Sequence, residues 1–166
     1  IVSGSGNQGM TASLPVIEYA EAIGADHEAL LRALAVSDLI TIHQKTGIGR
    51  LSAFCGATSA GCGAACGIAY LDGAKAEVIA KTIVNTLGIC SGMVCDGAKS
   101  SCAAKIAAAV EAGLDGYEMA KTDLGFVNGE GIIGADVEQT IFNVGRMARQ
   151  GMRHTDEEIL NIMLGL

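Results

Sequence analysis

Apolar residues recur every three or four positions along most of the chain, and no segment alternates convincingly with period two. That pattern predicts an all-α protein. Leu14, Ile17 and Ala20 carry the helical spacing over residues 10–23, with Pro15 in the first turns, where proline is tolerated. Gly24 stops that helix and Asp26 caps the next, predicted over residues 27–46 with Leu30, Leu31, Leu34, Ile40 and Ile42 as its apolar positions. Val78, Ile79, Ile83 and Leu87 mark a helix over residues 75–87. Ser100 or Ser101 caps another that runs to Gly113, and residues 114–126 read as a short helix of their own. Val137, Ile141, Val144 and Ala148 form one stripe over residues 135–150. Thr155, with Glu158 three residues on, reads as a capping box that opens the last helix through Ile159, Leu160 and Met163.

One helix in this series is built differently. From Arg50 to the Asp72-Gly73 turn the chain is mostly glycine, alanine, serine and cysteine, and Cys55, Ser59, Cys62 and Cys66 recur at spacings of four, three and four. Gly56, Gly63 and Gly67 fall on an adjacent face, with Ala60 between them. A glycine inside a helix costs up to about 1 kcal/mol relative to alanine, so several together predict close approach by neighbouring backbones. This is the expected centre of the domain.

Composition sharpens that picture. Half of the 166 residues are apolar, but there is no Trp and only three Phe and three Tyr, which suits closely crossed helices rather than a β-sandwich. The length fits a single domain over residues 1–166, without an internal repeat. A net charge of −7 argues against a nucleic-acid partner, and the eleven Lys and Arg are dispersed. Mean hydropathy is high, at +0.40, yet every long apolar run is broken by glycine or charge, so neither a transmembrane helix nor a membrane partner is expected. No secretory signal is recognised, and the cytoplasm is the expected compartment.

All six cysteines lie within residues 54–102: Cys55, Cys62, Cys66, Cys90, Cys95 and Cys102. Two readings of them stand side by side. Buried thiols pack tight helix crossings as small hydrophobes, and clustered thiolates are ligands for soft metals and iron–sulfur clusters. Asp96-Gly97 is a strong turn signal, which places Cys95 on a loop and Cys102 at or near a helix N-terminus, a setting that favours the thiolate. Cys62 and Cys66, on the Ala/Gly helix with no charge nearby, read as structural. The loop over residues 1–9, rich in hydroxyls, amides and backbone N–H groups, opens a helix and is a candidate anion cradle, a plain turn being the alternative.

The strings Gly4-Ser5-Gly6-Asn7-Gln8-Gly9-Met10, Ile48-Gly49-Arg50-Leu51-Ser52-Ala53-Phe54-Cys55-Gly56 and Met93-Val94-Cys95-Asp96-Gly97-Ala98-Lys99 resemble the C-terminal half of the L-cysteine desulfidase family, and Arg153-His154-Thr155-Asp156 also fits. That family is related to the iron–sulfur L-serine dehydratases. The resemblance covers nearly the whole chain and implies the helical, catalytic C-terminal part of a longer enzyme. It implies a [4Fe–4S] cluster held by three cysteines with one iron open to substrate, Cys55 and Cys95 being two of the ligands. Cys102 is the implied third, the alternative being a cysteine of the N-terminal half. The implied reaction is β-elimination from L-cysteine to pyruvate, ammonia and sulfide. L-serine dehydration is the rival, and a non-catalytic helical subunit is the reading from another class. Ser5, Asn7 and Lys99 are the implied substrate-binding residues, with Asp96 beside the cluster and the catalytic base unassigned. The implied partners are a small amino-acid substrate and either the N-terminal half of the same enzyme or a second subunit, with a homo-oligomer left open.

Overall fold

A helix of glycine and alanine is thin, and the protein closes around one. The computed structural model describes residues 1–166 and holds seven α-helices and no strand: α1 (Gly6–Ala22), α2 (His27–Ile48), α3 (Gly56–Leu71), α4 (Ala76–Ile89), α5 (Cys102–Lys121), α6 (Val137–Arg146) and α7 (Arg153–Leu164), with a π-turn at Met147–Gly151. The all-α class read from the periodicity is the one the chain adopts. Every residue of α3 from Gly56 to Ala69 is buried, because α1, α2, α4 and α5 all pack against it. A helix covered on all sides must be apolar or small all round.

Two glycines show why larger residues are excluded. A Cβ on Gly63 would lie 2.2 Å from Thr41 Oγ1 and 2.4 Å from the Ser37 carbonyl of α2, and one on Gly61 would lie 2.4 Å from the Ala109 carbonyl of α5. On the side away from those crossings, Cys62 and Cys66 join Phe54, Ile83, Leu87, Ile141 and Val144 in the main core. Full burial of a side chain such as Phe54 or Leu87 contributes roughly 1.5–3 kcal/mol. At the C-terminal end of α3, Asp72 ties two helices together by accepting from Tyr19 (2.6 Å) and Tyr117 (2.8 Å). Asn85 joins α4 to α5 by donating to the Gly116 and Leu124 carbonyls and accepting from Phe126 N–H. No helix is long and apolar enough to cross a membrane.

Several local expectations need correction. The first helix begins at Gly6 rather than near residue 10, since Ser5 serves as its N-cap and accepts from Gln8 N–H. The central helix begins at Gly56, which leaves Cys55 as the N-cap residue instead of placing it on the face of Cys62 and Cys66. Residues 102–121 form one helix, not two, because Gly113 fits against the Gly61 carbonyl rather than ending the turn. The Thr155 capping box is absent: the π-turn carries the chain straight into α7, which starts at Arg153 without a side-chain cap and buries none of its residues. Of the apolar positions expected in α2, Leu30, Leu34 and Ile40 are partly buried against the core, but two are not. Leu31 and Ile42 are about half exposed, and the face against α3 is Ala33, Ser37, Thr41, Gln44, Lys45 and Ile48. Close helix contact favours small side chains such as Ala33, Ser37 and Thr41 there, and the hydroxyls are satisfied: Ser37 donates across to the Ala12 carbonyl of α1 at 2.7 Å and Thr41 to the Ser37 carbonyl of its own helix at 2.8 Å.

Candidate active site

Two loops meet at the N-terminal end of α3. Phe54 and Val94 form a single antiparallel bridge, in which Cys55 N–H donates to the Met93 carbonyl at 3.0 Å and Cys95 N–H donates to the Ala53 carbonyl at 2.7 Å. Side chains alternate across extended backbone. Phe54 therefore enters the main core, while Cys55 and Cys95 turn to the other side and pack with Ala57, Met93, Ile106 and Ala109. As diagonal neighbours on such a ladder they stand about 7–8 Å apart by backbone geometry.

The other side is a cavity of about 320 Å³. Cys55, Cys95 and Cys102 all line it, Cys102 as the first residue of α5. The N-terminal turn of α1 also lines it, with Gly4, Ser5, Asn7 and Gln8. Lys45 reaches in from the end of α2, and Arg50 and Lys105 complete the cationic part of the lining. No carboxylate or imidazole is among the lining residues. No three Cys, His, Asp or Glu side chains converge closely enough to hold one metal ion. The three thiols are thus distributed around a space rather than gathered on a point.

Charge organises the Cys95–Cys102 loop. Asp96 pairs with both Lys99 and Lys105, and Lys105 also donates to the Val94 carbonyl at 2.8 Å. Those hydrogen bonds, Lys105 first, hold the Asp96 carboxyl well below the usual carboxylate range and push Lys105 up. The loop is thereby pinned to α5, with Cys102 Sγ 3.6 Å from the Gly97 carbonyl. Burial pushes the Cys55 thiol up, partly opposed by the Ala57 amide and Lys105. Lys45 is only 4% exposed, and burial lowers its pKa while the nearby Cys95 and Cys55 work against that fall. It has no carboxylate partner.

Of the residues singled out in the sequence, the fold brings Ser5, Asn7, Cys55, Cys95 and Cys102 to one cavity. It leaves Lys99 outside: the side chain is exposed and engaged with Asp96. Cys62 and Cys66 sit in the core, and Cys90 caps the end of α4 near Thr58. Sequence reasoning passed over Lys45 and Gln8. The signal for Lys45 was its place on the stripe Ala33, Ser37, Thr41, Lys45, which is helical in spacing but hidden by its polarity. Gln8 is buried with no donor for its Oε1, and it is pressed against Gly56, where a Cβ would lie 2.3 Å from its Cδ.

Known proteins give the arrangement a setting. A UPF0597 protein of Desulfitobacterium hafniense is 62% identical over 164 residues, covering 99% of this chain and 38% of the relative. UPF0597 proteins of Lachnoclostridium phytofermentans and Treponema denticola are 54% and 52% identical, with 39% and 38% of their lengths covered. The chain therefore spans less than two fifths of the curated relatives it matches. No solved structure matches it. The family model described as serine dehydratase alpha chain matches residues 1–161, which takes in the α1 turn, Lys45 and all three cavity cysteines, and on that match the chain belongs to the serine dehydratase alpha chain family.

Proposed function

We propose that this chain is the catalytic part of a lyase that removes the β-substituent of a small L-amino acid. L-Cysteine is our first reading of the substrate, giving pyruvate, ammonia and sulfide. L-Serine is the second, favoured by the description of the family. The observation that carries the proposal is that three thiols and the N-terminal turn of α1 line one cavity although about 50 to 100 residues separate them in sequence.

The donor set fits a [4Fe–4S] cluster better than a single ion. Thiolates are its usual ligands, and thiols spread around a cavity suit the corners of a cage rather than one shared centre. Cys55, Cys95 and Cys102 would hold it. When bound, the cluster supplies a Lewis acid for the leaving group or the carboxylate. The protein's own part is to bind and orient. Ser5 Oγ accepts the α1 cap bond, which leaves its O–H free to donate, and the Asn7 amide makes no side-chain bond within the protein. With the positive end of α1 they suit a carboxylate. Elimination breaks the Cα–H and Cβ–S bonds, a base takes the proton, sulfide leaves with the bonding pair, and the resulting enamine hydrolyses to pyruvate and ammonia. The lining holds no carboxylate or imidazole, and no residue of this chain is assigned as the base.

The test uses the full-length protein purified without oxygen. Iron and acid-labile sulfide in near-equal amounts, with pyruvate and sulfide formed from L-cysteine, are expected. Pyruvate from serine without sulfide from cysteine would move the assignment to serine dehydration. A protein that binds no iron and turns over neither compound would overturn the proposal.

A further inference from the structure

Lys45 is buried without a carboxylate partner, and the groups of the chain that can oppose its charge are the thiols of Cys95 and Cys55. A lysine in a folded protein is almost never fully buried unless paired, because an isolated ammonium loses its hydration without return. Lys45 is 4% exposed, lines the cavity and forms no ion pair. The other cations along the lining differ from it. Lys105 is committed to Asp96 and the Val94 carbonyl, and Arg50 is exposed at the edge. The N-terminus of α1 lines the same cavity, with the free hydroxyl hydrogen of Ser5 and the side chain of Asn7. Beside them Gln8, itself buried, leaves Oε1 without a donor. A buried cation and a helix N-terminus lining one cavity, with no carboxylate in the lining, describe a place for an anion.

We infer that Lys45 is a substrate-binding residue, whose ammonium receives the α-carboxylate of the amino acid opposite the Ser5–Asn7 turn of α1. The inference rests on the amino-acid reading above and deepens it. The carboxylate, held between a fixed positive charge and the α1 amides, sets the rotation of the substrate, so that its β-carbon faces the thiol-lined wall. The sequence places Lys45 where this requires: in the last turn of α2, buried, and lining the same cavity as Cys55 and Cys95. An amine without a carboxylate would gain nothing from Lys45.

The experiment measures binding rather than turnover. L-Alanine carries the ammonium and carboxylate of the substrates but no leaving group, and ethylamine lacks the carboxylate. Both are titrated calorimetrically into the full-length protein and into K45M, with iron content and circular dichroism recorded for each. A hydrogen-bonded charge pair of this kind predicts a 10- to 100-fold weaker Kd for alanine in K45M. Ethylamine binding and iron content should stay unchanged. K45Q, which keeps a donor but not the charge, should fall between the two and serves in its place if K45M does not fold. Wild-type affinity for alanine in the variants overturns the inference, even if they have lost turnover, since Lys45 would then act on a proton instead. It is equally overturned if the wild-type protein does not bind alanine, or if alanine and ethylamine binding weaken together with loss of iron, which would make Lys45 a support for the thiols. Failure of the lyase reading has a different mark: no pyruvate from the wild-type protein, whatever Lys45 does to alanine.

Discussion

Cys55 and Cys62 stand only seven residues apart, yet they belong to different parts of the molecule. Cys55 precedes α3, beside a cavity that brings in two more thiols from a distant loop and helix. Cys62 and Cys66 lie inside α3, fully buried between Phe54 and Leu87. The neighbouring Cys62 side chain and burial push the Cys66 thiol well up, so it stays protonated. Lys45, Arg50 and Lys105 line the cavity of the first group, whereas the second packs among apolar side chains. Residue type alone does not favour a thiolate; the end of a helix and a nearby cation do.

The largest way to break this contrast is to remove a cavity thiol. C55S or C95S should abolish iron binding and turnover in the full-length protein while leaving its circular dichroism intact, as iron analysis and pyruvate formation would show. Retained iron in both would place the ligands elsewhere. Next comes the middle of α3. G63A forces a Cβ to within 2.2 Å of Thr41 Oγ1, and overpacking of this kind should cost about 3 kcal/mol in denaturant unfolding. A neutral result would mean that the α2–α3 crossing relaxes freely.

A smaller effect is expected from C62A/C66A. Loss of two small buried groups should lower stability by about 1–2 kcal/mol and leave iron content alone. Iron loss at normal stability would erase the distinction between the two sets. The smallest effect concerns pH. The folded-state pKa of Asp96 is depressed, so the stability it contributes is complete above the unfolded value of about 3.9 and is lost as pH falls toward the lower folded value. Acid titration from pH 5 downward should therefore loosen the Cys95–Cys102 loop in the wild-type protein. D96N should lack that pH-dependent step, which hydrogen exchange at the Cys102 amide, bonded to the Lys99 carbonyl within the loop, would detect.

Much of the architecture was legible because helix spacing and stop signals are local. Asp26 caps α2 through Ala29 N–H, as read, and the Ile141–Val144–Ala148 stripe is buried. The glycine helix announced its central position by the cost of its own composition. What the sequence concealed was decided at long range. Gly113 looks like a stop but is a contact with Gly61, and Leu31 looks like core but is half exposed, because Ala33, Ser37 and Thr41 take the closest contact with the glycines of α3. The cavity depends on the pairing of Phe54 with Val94, forty residues apart, which no local pattern encodes. Lys45 was overlooked because a lysine on a helix normally marks the wet side.

That pairing of Phe54 with Val94 has a thermodynamic consequence. One short strip of backbone seals the core on one face and walls the cavity on the other, so neither face can open alone. Anything retained in the cavity restrains the chain that keeps Phe54 from water. Occupancy should then appear as stability of the whole domain, about 2.7 kcal/mol when a ligand is at a hundredfold its Kd. The amide hydrogens of Cys55 and Cys95, locked in the two bonds of the bridge, should exchange with solvent only when the entire protein unfolds.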